Sequence, residues 1–355
     1  MKKLLASTAL VGALVISGSS FAETKFGGNI ENTWTSQESM TSGTATKDSK
    51  DAIGNDIEIT VSHTKELDNG WKFVGAFAID ESANGSIDTS RANVQLSKDG
   101  ITLQIGSEGI QGAEYYPIPT VADITCDLPG LGSTCDYGKS LNDSQALGLA
   151  VAVPGGVIEA LYAPDASSGD AASDSNVDNQ SRTGTAATAN YLSTSTASPV
   201  NLGSGAEIAY KFQALDGALT GHVAAHQASS REGVLDHGDQ SAKSASLQYN
   251  FGTVKVGAGR LLSKAVKNAT STVDREVTTD SFGITLAASD DLSLGVQYKE
   301  SSSDEWTSDE KVTAVSAAYN FGGVGFSLTY AQNENDGGTT SKDQELVVFR
   351  TKTSF

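Results

Sequence analysis

Side chains that bind ions are concentrated in acidic segments of the sequence. The chain of 355 residues carries 43 acidic and 24 basic residues, a formal charge of −19. Carboxylate oxygens are the ligands that Ca²⁺ and Mg²⁺ prefer. The two densest groups of acids are Asp165, Asp170, Asp174 and Asp178, and Asp304, Glu305, Asp309 and Glu310. The segment 333–337, Asn-Glu-Asn-Asp-Gly, matches only part of an EF-hand calcium loop.

Two interpretations of these acids stay open. We favour solvated loop charge, which keeps a surface hydrated. The alternative is that the loops bind Ca²⁺ or Mg²⁺ and, through the cation, anionic lipopolysaccharide. We expect no resident cofactor. The negative charge also excludes nucleic acid as a partner, because its phosphates would be repelled.

The sequence contains no arrangement that is typical of catalysis. A serine hydrolase needs a Ser, a His and a partner that orients the His. The nearest candidates, His222 and His226 with Thr220, lie on the polar side of an alternating segment, where we expect them to line an interior. The motifs GxSxG and the phosphate loop are absent. Four His and two Cys are too few for a zinc framework. The sequence therefore predicts a protein that is not an enzyme.

The first 22 residues have the three parts of a secretory signal peptide. Lys2 and Lys3 are basic, residues 4–16 are a short apolar run, and Ala22 is a small residue at the expected cleavage point. The run is too short to anchor the chain in a membrane. We therefore predict a mature domain of residues 23–355 outside the cytoplasm.

A chain that leaves the cytoplasm can form disulfides. Cys126 and Cys135 are the two cysteines. A bond between them would close a loop of about 10 residues and stiffen it by up to about 3 kcal/mol in the chain-entropy model. We favour this bond over two free thiols.

The mature sequence repeats one pattern to its end. Segments of about 9–11 residues alternate apolar with small or polar residues, the period of a strand whose two faces differ. Within 292–299, for example, Leu292, Leu294, Val296 and Tyr298 alternate with Ser, Gly, Gln and Lys.

Short and long connections alternate between these segments. The short ones contain Gly, Asn or Asp, which tolerate the positive φ of hairpin turns. They lie at 68–70, 98–100, 154–156, 216–217, 252, 290–291 and 322–323. The long ones are 36–54, 81–88, 108–143, 165–203, 229–240, 263–276, 301–309 and 333–342. These connections join sixteen strands if 165–203 contains none.

The two faces favour a closed barrel over a soluble sandwich. Many segments place Gly, Ala, Ser, Thr, Asn and Gln where a sandwich would place Leu, Ile and Val. Such a face suits a wet lumen, and the apolar face suits lipid. In hydrocarbon every backbone N–H and C=O must be paired within the protein, so the sheet must close. We predict an all-β, transmembrane, antiparallel up-and-down barrel.

The last segment, 346–355, also alternates, and it ends on Phe355. It resembles the closing strand that the outer-membrane barrel assembly machinery recognises. Phe355 is therefore the predicted assembly signal.

The whole mature chain resembles the Gram-negative general-diffusion porins, most closely those of alphaproteobacteria. The shared features are the signal peptide, the acidic loops, the alternating strands, the Tyr-Asn-Phe-Gly strand ends at 249–252 and 319–322, and Phe355. The resemblance implies a homotrimer in the outer membrane, each subunit a water-filled channel for passive diffusion of small hydrophilic solutes and ions. It further implies that the third long loop folds into the barrel and narrows it.

By count, 108–143 is the candidate constriction loop. The resemblance implies that acids on this loop face bases on the barrel wall, and opposite charges across a low-dielectric frame set up a transverse field. The loop acids are Glu108, Glu114, Asp123, Asp127 and Asp136. The wall bases are Lys72, Arg91, Arg350 and Lys352. Asp56 and Glu58 also take wall positions, which favours passage of cations.

Two other functions stay open at this point. One is a channel specific for a single substrate, which would show saturable current block. The other is a plugged barrel that serves as a surface or adhesion protein, which would show no steady conductance.

Overall fold

Sixteen antiparallel strands form one closed barrel in the computed structural model of the chain. The strands are β1 Glu23–Met40, β2 Lys47–Glu66, β3 Lys72–Glu81, β4 Asn93–Lys98, β5 Ile101–Gly106, β6 Ala146–Val153, β7 Gly156–Ala163, β8 Leu202–Ala214, β9 Leu219–Ser230, β10 Gln240–Asn250, β11 Val254–Val266, β12 Asp274–Ala287, β13 Leu292–Ser302, β14 Glu310–Phe321, β15 Val324–Glu334 and β16 Gln344–Ser354. The structure describes residues 12–14, 22–40, 47–81, 87–88, 92–107, 109–114, 118–121, 141, 145–164, 202–230, 240–266, 274–335, 340 and 343–355.

Each strand pairs with the next one along the chain, and the last pairs with the first. At the closure Phe349 lies opposite Trp34. Phe355 and Gly28 then exchange two backbone hydrogen bonds of 3.1 Å each. Each of the sixteen strands is hydrogen-bonded to a neighbour on both sides. The predicted all-β barrel of sixteen strands is therefore confirmed.

Within the described residues, three short elements lie outside this ring. Strand Gly12–Leu14, within the predicted signal peptide, pairs with residues 24–26 of β1. Strand Ile87–Asp88 pairs with the end of β3. A single 3₁₀ turn spans Gly112–Glu114. In the part of the chain that the structure describes, no helix is both long and apolar enough to cross a membrane.

The barrel wall is apolar outside, whereas its inner face is mostly polar or small-residue, with some buried apolar side chains such as Leu261 and Leu346. On β13, Leu294 and Val296 point outward and are 40% and 45% exposed, whereas the inward Lys299 and Ser301 are buried. The same alternation repeats on β15, where Leu328 is exposed and Thr329 is buried. The period of two therefore separates the residues of each strand into an outer and an inner set.

The seven short turns lie at one rim, and their residues take the backbone angles that hairpins need. Asp99 and Gly100 have φ of 50° and 80°. The two Tyr-Asn-Phe-Gly segments end strands at this rim, where Asn250 Oδ1 accepts a hydrogen bond of 2.9 Å from Gly252 N. Phe251 and Phe321 are each 66% exposed there. Exposed aromatic rings at a barrel rim are typical of a lipid–water boundary.

The wall differs in height around the barrel. The first hairpin is longer than the predicted loop 36–54 allows, because β1 and β2 stay paired up to Met40 and Lys47. The strands stay paired there although their residues are polar. Beyond the apolar band the outer face of the barrel meets water, so the paired strands need no apolar face. In contrast, β4 and β5 have only six residues each.

The outer face yields a test of the fold. Val296→Arg places a charge in the middle of the apolar band and should lower the free energy of unfolding in lipid by about 2–4 kcal/mol. Gln297→Arg, one residue away and inward, is the matched control and should change it little. Urea titration of the protein in lipid vesicles measures both. Equal stability of the two variants would contradict the assignment of the faces.

Candidate pore constriction

Three adjacent strands bring ionisable side chains together on the inner wall. Glu159 of β7, Glu207 and Lys211 of β8, and His226 of β9 all point inward. Glu207 lies opposite His226 in the ladder, and Glu159 lies opposite Ala209, which is between the two β8 charges. Glu159, Glu207 and His226 are buried. His222 and His226 thus line the interior, as their positions in the alternation predicted.

The two carboxylates hold the candidate constriction loop by its backbone. Gly112 N donates to Glu159 Oε2 at 2.7 Å. Ala113 N donates to Glu207 Oε1 at 3.0 Å, and Leu141 N donates to Glu207 Oε2 at 2.8 Å. We call Glu159 and Glu207 the carboxylate clamp. It grips the loop near its start and near its end, so both parts of the loop lie inside the barrel.

Cationic and polar side chains surround the clamp. Lys211 Nζ lies 2.8 Å from Glu159 Oε1 and donates to Gln111 Oε1 at 3.3 Å. His226 Nδ1 lies 3.5 Å from Glu207 Oε2. A buried carboxylate is tolerated only when it is paired and hydrogen-bonded. Lys211 and the Gly112 N–H together meet this condition for Glu159.

Apolar packing supports the polar contacts. Ile110 and Leu141 of the loop are buried against Leu161, Ala163 and neighbouring small residues of the wall. Gly112 has φ of 53°, and a Cβ there would collide with Glu207 Oε1. Only glycine therefore lets the loop backbone approach the clamp this closely.

Beyond the 3₁₀ turn the loop continues to another part of the wall. Ile118 and Val121 are buried, and they contact β12 and β13 at Gly283 and Gly295. The described parts of the loop therefore contact the inner wall at two places, β7–β9 and β12–β13.

Four of the five predicted loop acids are among the residues that the structure does not describe. Glu108, Asp123, Asp127 and Asp136 lie outside the described residues, as do Cys126 and Cys135. Glu114 ends the 3₁₀ turn, but its side chain is likewise outside what the structure describes. The acidic side of the constriction and the disulfide stay predictions.

Of the four predicted wall bases, Arg91 lies outside the described residues. The other three lie at two different places on the wall. Arg350 and Lys352 lie on the inner face of β16 and share one carboxylate: Arg350 Nε is 2.8 Å and Lys352 Nζ 3.6 Å from Glu31. Lys72 is the first residue of β3 and is exposed at the rim of short turns. Their role at a constriction stays a prediction.

Of the two acidic loop groups, the one beginning at Asp165 lies outside the described residues. In the other, Glu310 is buried and accepts a hydrogen bond of 2.9 Å from Asn333 Nδ2. Within the described ranges, no three His, Cys, Asp or Glu side chains come together as a metal site.

The sequence alone did not single out Glu159, Glu207 or Lys211 as site residues. A signal was present, because each is a charged residue in mid-strand on the inward side of the alternation. The alternation does not show at which height in the barrel the loop lies. That height determines which inward-facing charges the loop contacts.

Comparisons with known proteins agree on the architecture. The family model for Gram-negative porins matches residues 6–345. Among solved structures, DcaP, an outer membrane channel of Acinetobacter baumannii, aligns with a TM-score of 0.64 at 10% identity, over 96% of this chain and 100% of that one. OmpF of Salmonella typhi in complex with daunomycin aligns at 0.62 and 13%, over 93% and 98%. OmpT of Vibrio cholerae, in vitro folded and in a trimer form, aligns at 0.56 and 11%, over 94% and 99%. A search of curated proteins finds no match.

The clamp can be tested by changing one of its carboxylates. Glu207→Gln keeps the shape of the side chain. Its NH₂ group cannot accept a hydrogen bond, so one of the two loop N–H groups that now donate to Glu207 would lose its partner. Hydrogen bonds to charged groups contribute about 1.5–3 kcal/mol each, so the loop should loosen. We expect noisier current steps and entry of larger sugars, with the barrel still folded.

Glu276→Gln is the matched control, because Glu276 is an exposed carboxylate on β12 whose ion-pair partner is Lys264. Conductance in planar bilayers and swelling of liposomes in sugars measure the effect. Identical channels from the two variants would contradict the role of the clamp.

Proposed function

The chain belongs to the Gram-negative porin family of outer-membrane β-barrel channels, and we propose that small hydrophilic solutes and ions diffuse passively through it past loop 108–143. The observation that carries this proposal is the loop backbone held inside a polar barrel by Glu159 and Glu207. A loop tethered to the inner wall narrows the lumen. The alphaproteobacterial subtype stays a prediction.

The lining of the lumen favours general diffusion over a channel for one substrate. Along the described strands, the inward positions include no Phe, Tyr or Trp. Stacking on aromatic rings is one way for a site to hold a sugar or base. The inward side instead carries paired hydroxyls, such as Thr279 with Ser301 at 2.9 Å and Ser316 with Thr329 at 2.7 Å. Hydroxyl groups replace water around many solutes and select for none.

We further propose a cation-favouring channel with a transverse field. Glu31 shares its carboxylate between Arg350 and Lys352, which weakens the positive side of the wall. Asp56 and Glu58 on β2 add negative charge near it. The loop acids and the remaining bases Lys72 and Arg91 complete the proposed charge arrangement.

The height of the wall supports the proposal of a homotrimer. A strand of 6 residues, such as β4 or β5, is about 20 Å long at ~3.3 Å per residue and rises about 15 Å at a tilt near 40°. That is less than the ~25 Å apolar band of outer-membrane barrels. The outward Val94, Leu103 and Ile105 on this low side are exposed. Two further copies of the chain would cover them.

The other proposed partners follow from the same fold. Lipid and lipopolysaccharide surround the outer face, and the barrel assembly machinery recognises β16 with Phe355. We propose no resident cofactor and no enzymatic activity, since the sequence has no GxSxG motif or zinc framework. A loop-bound Ca²⁺ or Mg²⁺ remains the alternative interpretation of the acidic loops.

The function is tested by reconstitution of the mature chain. Planar bilayers should show steady ohmic steps, and liposomes should swell in small sugars at rates that fall smoothly with solute size. In a salt gradient the reversal potential should have the sign of cation preference. Absence of steady steps would favour a plugged surface protein, saturable block by one solute would favour a specific channel, and anion preference would refute the charge arrangement.

The homotrimer is tested on its low side. Ile105→Asn should reduce the fraction of trimer in detergent, because a polar side chain would replace an apolar one in the proposed subunit interface. Leu328→Asn, on the outward face of β15, is the matched control and should leave the trimer intact. Light scattering after size exclusion gives the oligomeric state. A monomeric wild type, or equal loss of trimer in both variants, would contradict the proposal.

A further inference from the structure

Two glycines interrupt the inner wall where the loop reaches β12 and β13. Gly283 and Gly295 lie in mid-strand on the inward face, and Gly257 of β11 lies opposite Gly283. Glycine inside a strand weakens it and often marks a close approach of another backbone. We call Gly283 and Gly295 the glycine seat.

The loop fills the space that side chains would take at the seat. A Cβ on Gly283 would stand 2.5 Å from the Pro119 carbonyl oxygen and 2.9 Å from Ile118 Cγ2. A Cβ on Gly295 would stand 2.5 Å from Val121 Cγ2. Ile118 and Val121 are 7% and 3% exposed, although they lie within the barrel. Apolar side chains in a wet lumen are thus sheltered against bare backbone.

We propose that the glycine seat is a positioning element that sets the distance of the constriction loop from β12 and β13, and thereby the largest solute that passes. This inference rests on the proposed function and adds residues that the function alone does not name. The carboxylate clamp fixes the loop at β7 and β8, and the seat supports it about a third of the way around the sixteen-strand ring. Two supports at different places hold a loop across a lumen more firmly than one.

The contacts at the seat are steric: the nearest loop atom to a Cβ is the Pro119 backbone carbonyl oxygen at Gly283 and the Val121 side chain at Gly295. The Pro119 carbonyl cannot rotate away as a long side chain would. To restore ordinary contact at 3.4 Å from a new Cβ, the loop must move off the wall by about 1 Å. Movement off β12 and β13 carries the loop further into the interior, so the proposed passage becomes narrower.

The test uses glycine-to-alanine variants of the full mature protein. Gly283→Ala and Gly295→Ala should lower the single-channel conductance and exclude the larger sugars that the wild type admits. Gly325→Ala is the matched control: Gly325 is an inward glycine of β15, and a Cβ there would meet only Lys352 O, at 3.6 Å. It should conduct like the wild type. Thermal unfolding of each variant checks that the barrel has assembled.

A second substitution distinguishes a steric clash between loop and seat from a general weakening of the strand. Val121→Ala removes the methyl group that a Cβ on Gly295 would strike. The double variant Gly295→Ala with Val121→Ala should recover conductance relative to Gly295→Ala, which a purely destabilising effect of alanine would not allow. Val121→Ala alone supplies the baseline.

The outcomes distinguish this inference from the proposed function. If the wild type conducts but folded Gly283→Ala has unchanged or larger conductance and sugar limit, or the double variant shows no recovery, the seat does not set the passage. If the wild type itself forms no channel, the proposed function fails first.

Discussion

The requirement that every backbone polar group in hydrocarbon finds a partner within the protein governs this structure. A sheet meets the requirement only by closing, and here β16 pairs with β1 through eleven residue pairs before Phe355 and Gly28 exchange the last bonds. Closure in turn creates an inside and an outside. The alternation of each strand then has a physical meaning, because one set of side chains meets lipid and the other meets water.

A closed barrel of sixteen strands leaves an interior that side chains cannot fill. What occupies it must be held, since a polar loop in water gains little by staying near a polar wall. Two different interactions do this. The carboxylate clamp uses charge-assisted hydrogen bonds to Gly112, Ala113 and Leu141. The glycine seat removes side chains so that Ile118, Pro119 and Val121 can pack on backbone.

The clamp joins structure and function through its electrostatics. Burying Glu159 and Glu207 is unfavourable unless each keeps its partners. Those partners are Lys211, His226 and the N–H groups of the loop itself. Wall and loop are therefore interdependent: the carboxylates lose hydrogen bonds if the loop leaves, and the loop loses its attachment if the carboxylates are neutralised.

The sequence by itself determined the barrel, its sixteen strands, the rim of tight turns and the inward side of each strand. These depend on a period of two and on local φ preferences, which are written in neighbouring residues such as Asp99 and Gly100. It placed the first long loop too early, at 36, because polar residues there do not reveal that pairing continues to Met40. Only the tertiary structure decided that Ala113 meets Glu207, 94 residues away, and that Pro119 meets Gly283. The reason is that alternation tells which way a side chain points, whereas the height and angle at which a loop crosses the lumen depend on how all the strands are staggered around the ring.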